Sequence, residues 1–323
     1  MSEADRDTPP RSARHPTWIA SMGRLLFGAA GMVVAALLVI LICAAIALAV
    51  AYPNLPELDS ITDYRPRLPL RVVSAEGALL GEYGDERRTF TPIAEIPKVM
   101  QHAVLAIEDA RFYQHSGIDY LGVVRAGLAQ FGSVGSQGAS TITMQVARNF
   151  YLSTEKSLTR KLYEVLLALK IESQLNKDQI LELYMNQIFL GQRAYGFAAA
   201  SEIYFGKPLK DIDIAEAAML AGLPKAPSAY NPIANPRRAT VRQQYIIDRM
   251  LENGFITEDQ HAAAKAQELK YRAPADVPVH AEYVAEMVRQ QVYAQYGEMT
   301  YTTGLSVTTT LRAAEQQAAY TAL

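Results

Sequence analysis

The chain has 323 residues, half of them hydrophobic and a fifth charged, which is the profile of a folded protein with a sizeable core and excludes a disordered one. A net charge of −2 leaves no basic surplus, so no nucleic-acid partner is expected. The single cysteine, Cys43, excludes an intrachain disulfide and any cysteine-built metal centre.

Residues 1–24 are polar and carry Arg6, Arg11, Arg14 and Arg24, and they read as a cytoplasmic tail. Residues 25–52 contain no charge and are long enough to cross a hydrocarbon core of ~30 Å as one helix. Ala47 and Ala49 form the small-x-small pattern of a cleaved signal, but signal cores run about 7–15 residues, so an uncleaved anchor is expected. The arginines before it, with Glu57, Asp59 and Asp63 after it, put the N-terminus in the cytoplasm and the rest of the chain outside an inner membrane.

Residues 53–88 begin as a proline-rich stalk and continue as two short strands, Arg71 to Tyr83, about a Glu76-Gly77 turn. From Pro97 the pattern turns helical: Val99, Ala103, Ala106 and Ile107 recur at three- and four-residue steps, and Ser116-Gly117 is expected to end this helix. Ile118 to Phe131 predicts a second apolar helix, suited either to a bilayer surface or to the core, and Gly132 to Gly138 a loop. Further helices are predicted at Ser140–Phe150, Ser157–Asn176, Lys177–Ile188, Ala194–Tyr204, Ile214–Leu223, Arg237–Asn253, Thr257–Leu269 and Ala281–Tyr296. Leu305–Leu311 predicts a strand that pairs with the Arg71–Tyr83 hairpin. The main domain, residues 89–275, is therefore mainly helical with a small β element beside it, and residues 276–323 open a linker.

Three polar constellations stand out, each with a plain structural reading beside the chemical one. Glu108 lies near a helix C-terminus, where the dipole and partial burial both raise a carboxyl pKa and make a better base; a solvated helix end is the plain alternative. Ser140-Thr141-Ile142-Thr143 follows the glycine loop as a helix start that Ser or Thr would cap, with outward N–H groups able to hold phosphate oxygens, and Gln145 and Arg148 lie on the same side. Arg160 and Glu164 share one helix face and Lys161 adjoins it, either as a surface ion pair or as two cations for a pyrophosphate, with Glu164 orienting them or holding a metal. Ser153-x-x-Lys156 has the form of a four-residue nucleophile pattern, but no Lys-Thr-Gly or Ser-Asp-Asn accompanies it, so it reads as chance.

In order, Glu108-Asp109-x-x-Phe112-x-x-His115-x-Gly117, Gly138-x-Ser140-Thr141-Ile142-Thr143-x-Gln145, Arg160-Lys161-x-x-Glu164, Ile180 to Asn186 with Gly191 following, and Ala217-x-x-Leu220-Ala-Gly-Leu-Pro224 resemble five motifs of one family. That family is the glycosyltransferase domain of class A penicillin-binding proteins and of monofunctional peptidoglycan glycosyltransferases. The resemblance implies a lysozyme-like fold and polymerisation of a lipid-linked disaccharide-pentapeptide, lipid II, into glycan strands, by inverting transfer with release of polyprenyl diphosphate. By the family's pattern Glu108 is the general base and Glu164 the second catalytic glutamate. Arg148, Arg160 and Lys161 match its cationic positions, and Asp109, Phe112, His115, Thr141, Gln145 and Asn149 would line the cleft.

A divalent cation, magnesium or manganese, is the one cofactor the resemblance allows; no organic cofactor and no dedicated metal ligands are expected. Implied partners are lipid II, the growing lipid-linked glycan, the bilayer and other cell-wall synthesis proteins, at the inner (cytoplasmic) membrane. Two rival readings are a lytic wall hydrolase of similar fold and a non-catalytic scaffold that binds precursor. Met144 departs from the family, where many relatives carry Gln, and Gly304 to Ala318 resembles the linker that leads into a transpeptidase in bifunctional relatives.

Overall fold

The computed structural model describes residues 66–123, 140–152, 158–272 and 279–322, with 52–58, Ile61 and scattered positions between 28 and 49. The chain divides into two units, Met1–Leu55 and Pro56–Leu323. In the first, Met32, Val34, Leu38, Val39 and Ile42 are helical and exposed, and most of the expected 25–52 span lies outside the described residues. Among the described residues no helix is long and apolar enough to cross a membrane.

The second unit is mainly helical with small sheets. Strands β1 (Leu70–Val73) and β2 (Leu79–Tyr83) form an antiparallel hairpin, turned by Gly77 at φ +89°. Strand β3 is Arg87–Arg88. Helix α1 (Lys98–Glu108) is followed by a 3₁₀ turn at Phe112–Gln114. Then come α2 (Ile142–Tyr151), α3 (Leu158–Gln174) and α4 (Lys177–Gln187), the last opened by an Asn176/Gln179 capping box. Strand β4 (Ala194–Tyr195) pairs in parallel with β3. Helices α5 (Phe197–Phe205), α6 (Ile214–Ala221), α7 (Pro236–Glu252), α8 (Glu258–Ala266) and α9 (Glu282–Tyr296) follow, then β5 (Ser306–Thr308) and α10 (Ala313–Ala322).

The predicted helices are found, with three differences. The first ends at Glu108 rather than at Ser116-Gly117, because Asp109 leaves helical geometry (φ −162°, ψ 78°) and turns its carboxylate inward to partners elsewhere in the fold. The segment predicted as Ala194–Tyr204 starts as β4, and its helix begins only after Gly196, at φ +82°. The apolar helix begins at Tyr120, and Tyr120, Leu121 and Val123 are exposed. Its remainder, like the Gly132–Gly138 loop, lies outside the described residues.

Two packing arrangements hold the site. Helix α2 lies against α3 and α4, and α1 lies against α6 and α7. Their apolar faces bury Met100, Ile142, Leu167, Ile171, Ile180 and Tyr184 completely. Apart from this, the Leu70/Val72 face of β1 packs with Leu80, Val279, Ala281 and Ala285 in a second small core. Strand β5 pairs in parallel with β1, Val72 opposite Val307, so the expected pairing forms, trimmed to three residues of β5. The stalk-side hairpin and the C-terminal segment thus share one sheet and one core.

Candidate active site

Glu108 is the last residue of α1. Its partly open carboxylate accepts a hydrogen bond from Gln145 Nε2 of α2 at 2.8 Å. Burial raises its pKa above the usual carboxylate value; the Gln145 bond, Arg242 and Arg148 pull it back, and neighbouring Asp109 pushes it further up. The phenol of Tyr184 on α4 is buried and without a hydrogen-bond partner. Burial first, then the Glu108 charge, raises the Tyr184 pKa well above its ordinary value, while Arg148 opposes. Glu108 is therefore hydrogen-bonded to one amide and interacts electrostatically with Arg148, Arg242 and Tyr184, which come from three other helices.

The loop after α1 holds α2 in place. Asp109 accepts from His115 Nε2 at 3.0 Å and from the Ile142 N–H at 3.1 Å, the first amide of α2. Thr141 caps the same helix by accepting from the Met144 N–H at 3.2 Å, and its hydroxyl donates to the Gly117 carbonyl at 2.6 Å. Phe112 packs edge-on to His115, and its ring lies under Lys177 Nζ, 4.3 Å from the ring centre. Lys177 and Thr143 both donate to Glu172, each at 2.6 Å. The start of α2 is fastened to α1's exit loop on one side and to α3 on the other.

On α3, Glu164 is 1% exposed and faces two cations. Arg160 Nε lies 3.3 Å from its Oε1, and Lys161 Nζ donates to its Oε2 at 3.0 Å. Lys161 also donates to Ser140 Oγ at 2.7 Å, which ties α3 to the residue before the α2 cap. Glu164 thus ties Arg160 and Lys161 to one place on α3. A divalent ion would need free carboxylates here. The Glu164 carboxylate is already engaged by Arg160 and Lys161, and no group of three or more His, Cys, Asp or Glu among the described residues could hold a metal ion. Among the described residues the donor set does not fit a resident ion.

Residues 76–251, more than half of the chain, match the family described as Transglycosylase. The chain belongs to the transglycosylase family. It is 58% identical over 282 residues to penicillin-binding protein 1A of Neisseria meningitidis serogroup B (strain MC58) and 46% identical over 270 residues to penicillin-binding protein 1A of Pseudomonas aeruginosa. These alignments cover 86% and 83% of this chain but 35% and 33% of those relatives, so the chain spans about a third of their length. Among solved structures, penicillin-binding protein 1A from Haemophilus influenzae matches at 30% identity and a TM-score of 0.45, over 80% of this chain and 29% of that one.

Within this transglycosylase chain the motif residues divide by position. Glu108, Gln145 and Arg148 come together, and Arg160, Lys161 and Glu164 form a second group across Ser140. Phe112 and Thr141, expected to line a cleft, are buried, and with Asp109 and His115 they brace the exit of α1 and the start of α2. Asn149 is exposed on α2. The expected outward phosphate cradle at the α2 start is partly used up, because Asp109 and Thr141 take the Ile142 and Met144 amides. Asn186 ties its own helix to the loop before α1: it accepts from the Thr91 N–H and donates to the Thr91 and Glu182 carbonyls.

Two residues escaped the sequence reading. Tyr184 lies inside the Ile180 to Asn186 motif, which by itself gives it no role. Arg242, one of four arginines between Arg237 and Arg249 in a charged helix, has no local signal that sets it apart.

Proposed function

We propose that the domain is a peptidoglycan glycosyltransferase of lysozyme-like fold that polymerises lipid II into glycan strands. The observation that carries this reading is Glu108: a carboxylate whose burial raises its basicity, held by Gln145 and flanked by Arg148. Glu108 takes the proton from the 4-hydroxyl of the acceptor sugar as that oxygen attacks C1 of the donor. The bond from C1 to the diphosphate breaks with inversion, and the leaving diphosphate carries away the electron pair. Such a leaving group needs positive charge more than a proton, and Arg148, Arg160 and Lys161 supply it, the last two held by Glu164. A hydrolase would instead need a carboxylic acid to protonate a sugar leaving group.

In the same proposal the 25–52 run anchors the chain in the inner membrane as a single pass, with the catalytic domain, residues 89–275, outside it. Residues 276–323 lead toward a further domain, as the length of the relatives suggests. Other wall-synthesis proteins are proposed partners.

The deciding experiment offers lipid-linked precursor and finished glycan separately to the native protein and to Glu108→Gln. Polymer from precursor with native protein, at least about 100-fold less with the variant, is expected. Cleavage of finished glycan without polymer would replace this reading with a hydrolase. Unchanged turnover in the variant would remove Glu108 as the base.

A further inference from the structure

Two charges beside the site stand where their own helices disfavour them. Glu172 lies in the last turn of α3, and Lys177 is the first residue of α4. A carboxylate meets partial negative charge at a helix C-terminus, and an ammonium meets partial positive charge at an N-terminus. Neither is left to open water, since their side chains are 9% and 19% exposed. Helix stability does not account for that placement, so what they touch must.

They touch each other and two further elements of the site. Lys177 Nζ donates to Glu172 Oε1 at 2.6 Å, and Thr143 Oγ1 of α2 donates to the same oxygen at 2.6 Å. Lys177 Nζ also lies 4.3 Å from the ring centre of Phe112, in the loop that leaves α1. The far end of that loop reaches Glu172: at Gly117, with φ +84°, an added Cβ would lie 3.2 Å from Glu172 Cγ. Thr143 and Phe112 have no exposed surface. The pair therefore grips the exit loop of α1 at two points and α2 in its first turn. Gln145 follows Thr143 closely on α2 and bonds Glu108 at 2.8 Å. A shift of α2 against the end of α1 by about 0.5 Å would take that bond past the ordinary limit of about 3.2 Å.

We propose that Glu172 and Lys177 are positioning residues: their ion pair, closed by Thr143 and Phe112, fixes α2 against the end of α1 and so keeps Gln145 on the Glu108 carboxylate. The proposal rests on the reading of Glu108 as the general base. The pair acts through structure rather than through its field, because two opposite charges bonded to each other largely cancel at a distance. The charged and titratable groups that act on Glu108 are Arg148, Arg242, Asp109 and Tyr184. The Gln145 bond lowers the Glu108 pKa, so a loosened α2 raises it.

The test titrates the Glu108 carboxyl by carbon NMR in the full chain without substrate, beside kcat and KM for polymerisation. The variants are Lys177→Met, Glu172→Ala and Thr143→Val, which change the local charge by −1, +1 and 0, and Lys177→Arg, which keeps it. Despite their different charges, the first three should each raise the Glu108 midpoint by about half a unit. Each should also lower kcat about fivefold, with KM within about twofold of native. Lys177→Arg should stay near native in both. Midpoints that moved in opposite directions for Lys177→Met and Glu172→Ala would overturn the proposal in favour of a field effect. An unmoved midpoint with native kcat in the folded variants would overturn it too, leaving the pair a role in stability alone. Should the charge-changing variants not fold, Thr143→Val, close to isosteric and neutral, decides by the same readings. The carboxyl titration needs no turnover. An active Glu108→Gln would therefore sink the base assignment, whatever the midpoints, and unmoved midpoints with an inactive Glu108→Gln would sink only this proposal.

Discussion

Asp109→Ala should destabilise the domain more than its single buried side chain suggests. Asp109 is 7% exposed, and its carboxylate holds two partners, His115 Nε2 at 3.0 Å and the first amide of α2 at 3.1 Å. Hydrogen bonds to a charged group contribute about 1.5–3 kcal/mol each. The negative charge at a helix N-terminus adds about 0.3–1 kcal/mol. Truncation leaves a buried imidazole nitrogen and a buried amide unpaired, so the loss should be about 3–5 kcal/mol, a large part of the roughly 5–15 kcal/mol that keeps a domain folded. Asp109→Asn keeps the shape and one acceptor oxygen, and should lose about half as much. Urea unfolding followed by helical circular dichroism measures both, with similar slopes expected. A loss below about 1 kcal/mol for Asp109→Ala would refute the reasoning, because the two bonds would then add little beyond water.

Three further outcomes are expected. Burial lifts the Glu108 pKa when folded, so the folded state binds the proton more tightly than the unfolded chain and loses stability as pH rises through the folded midpoint. Glu108→Gln should therefore melt at a higher temperature than the native protein at neutral pH, with the gain vanishing on acidification below the ordinary carboxylate range; a gain that grew with acid would contradict this. Gly196→Ala should cost about 1–3 kcal/mol, since φ is +82° and the new Cβ would lie 2.8 Å from the Asn186 carbonyl oxygen; native stability in thermal melts would argue against that backbone geometry. Leu70→Ala, in the small core, should cost about 2–5 kcal/mol and speed amide exchange in β5 as well as β1; exchange confined to β1 would mean that the two strands do not unfold together.

Much of the site was readable from spacing because its parts are local. Arg160, Lys161 and Glu164 meet because three- and four-residue steps share a helix face, and here that face turns inward. Thr141 caps α2 as a threonine before an apolar helix should. The β5 strand was visible in its β-branched run. The end of α1 was misjudged because no breaker stands at Asp109. The helix stops there since its carboxylate finds the Ile142 amide and His115, partners distant in sequence or outside helical reach.

Periodicity and order of motifs settled the helical class, the sequence of elements and the inventory of acids and bases, because these follow from steps of two, three and four residues along one backbone. Which of those residues face a reacting group was decided only when helices packed. That packing drew Phe112 and Thr141 under cover, brought Gln145 of a separate helix to Glu108, and joined the two ends of the second unit in one sheet. Burial and long-range electrostatics depend on neighbours that no local spacing specifies.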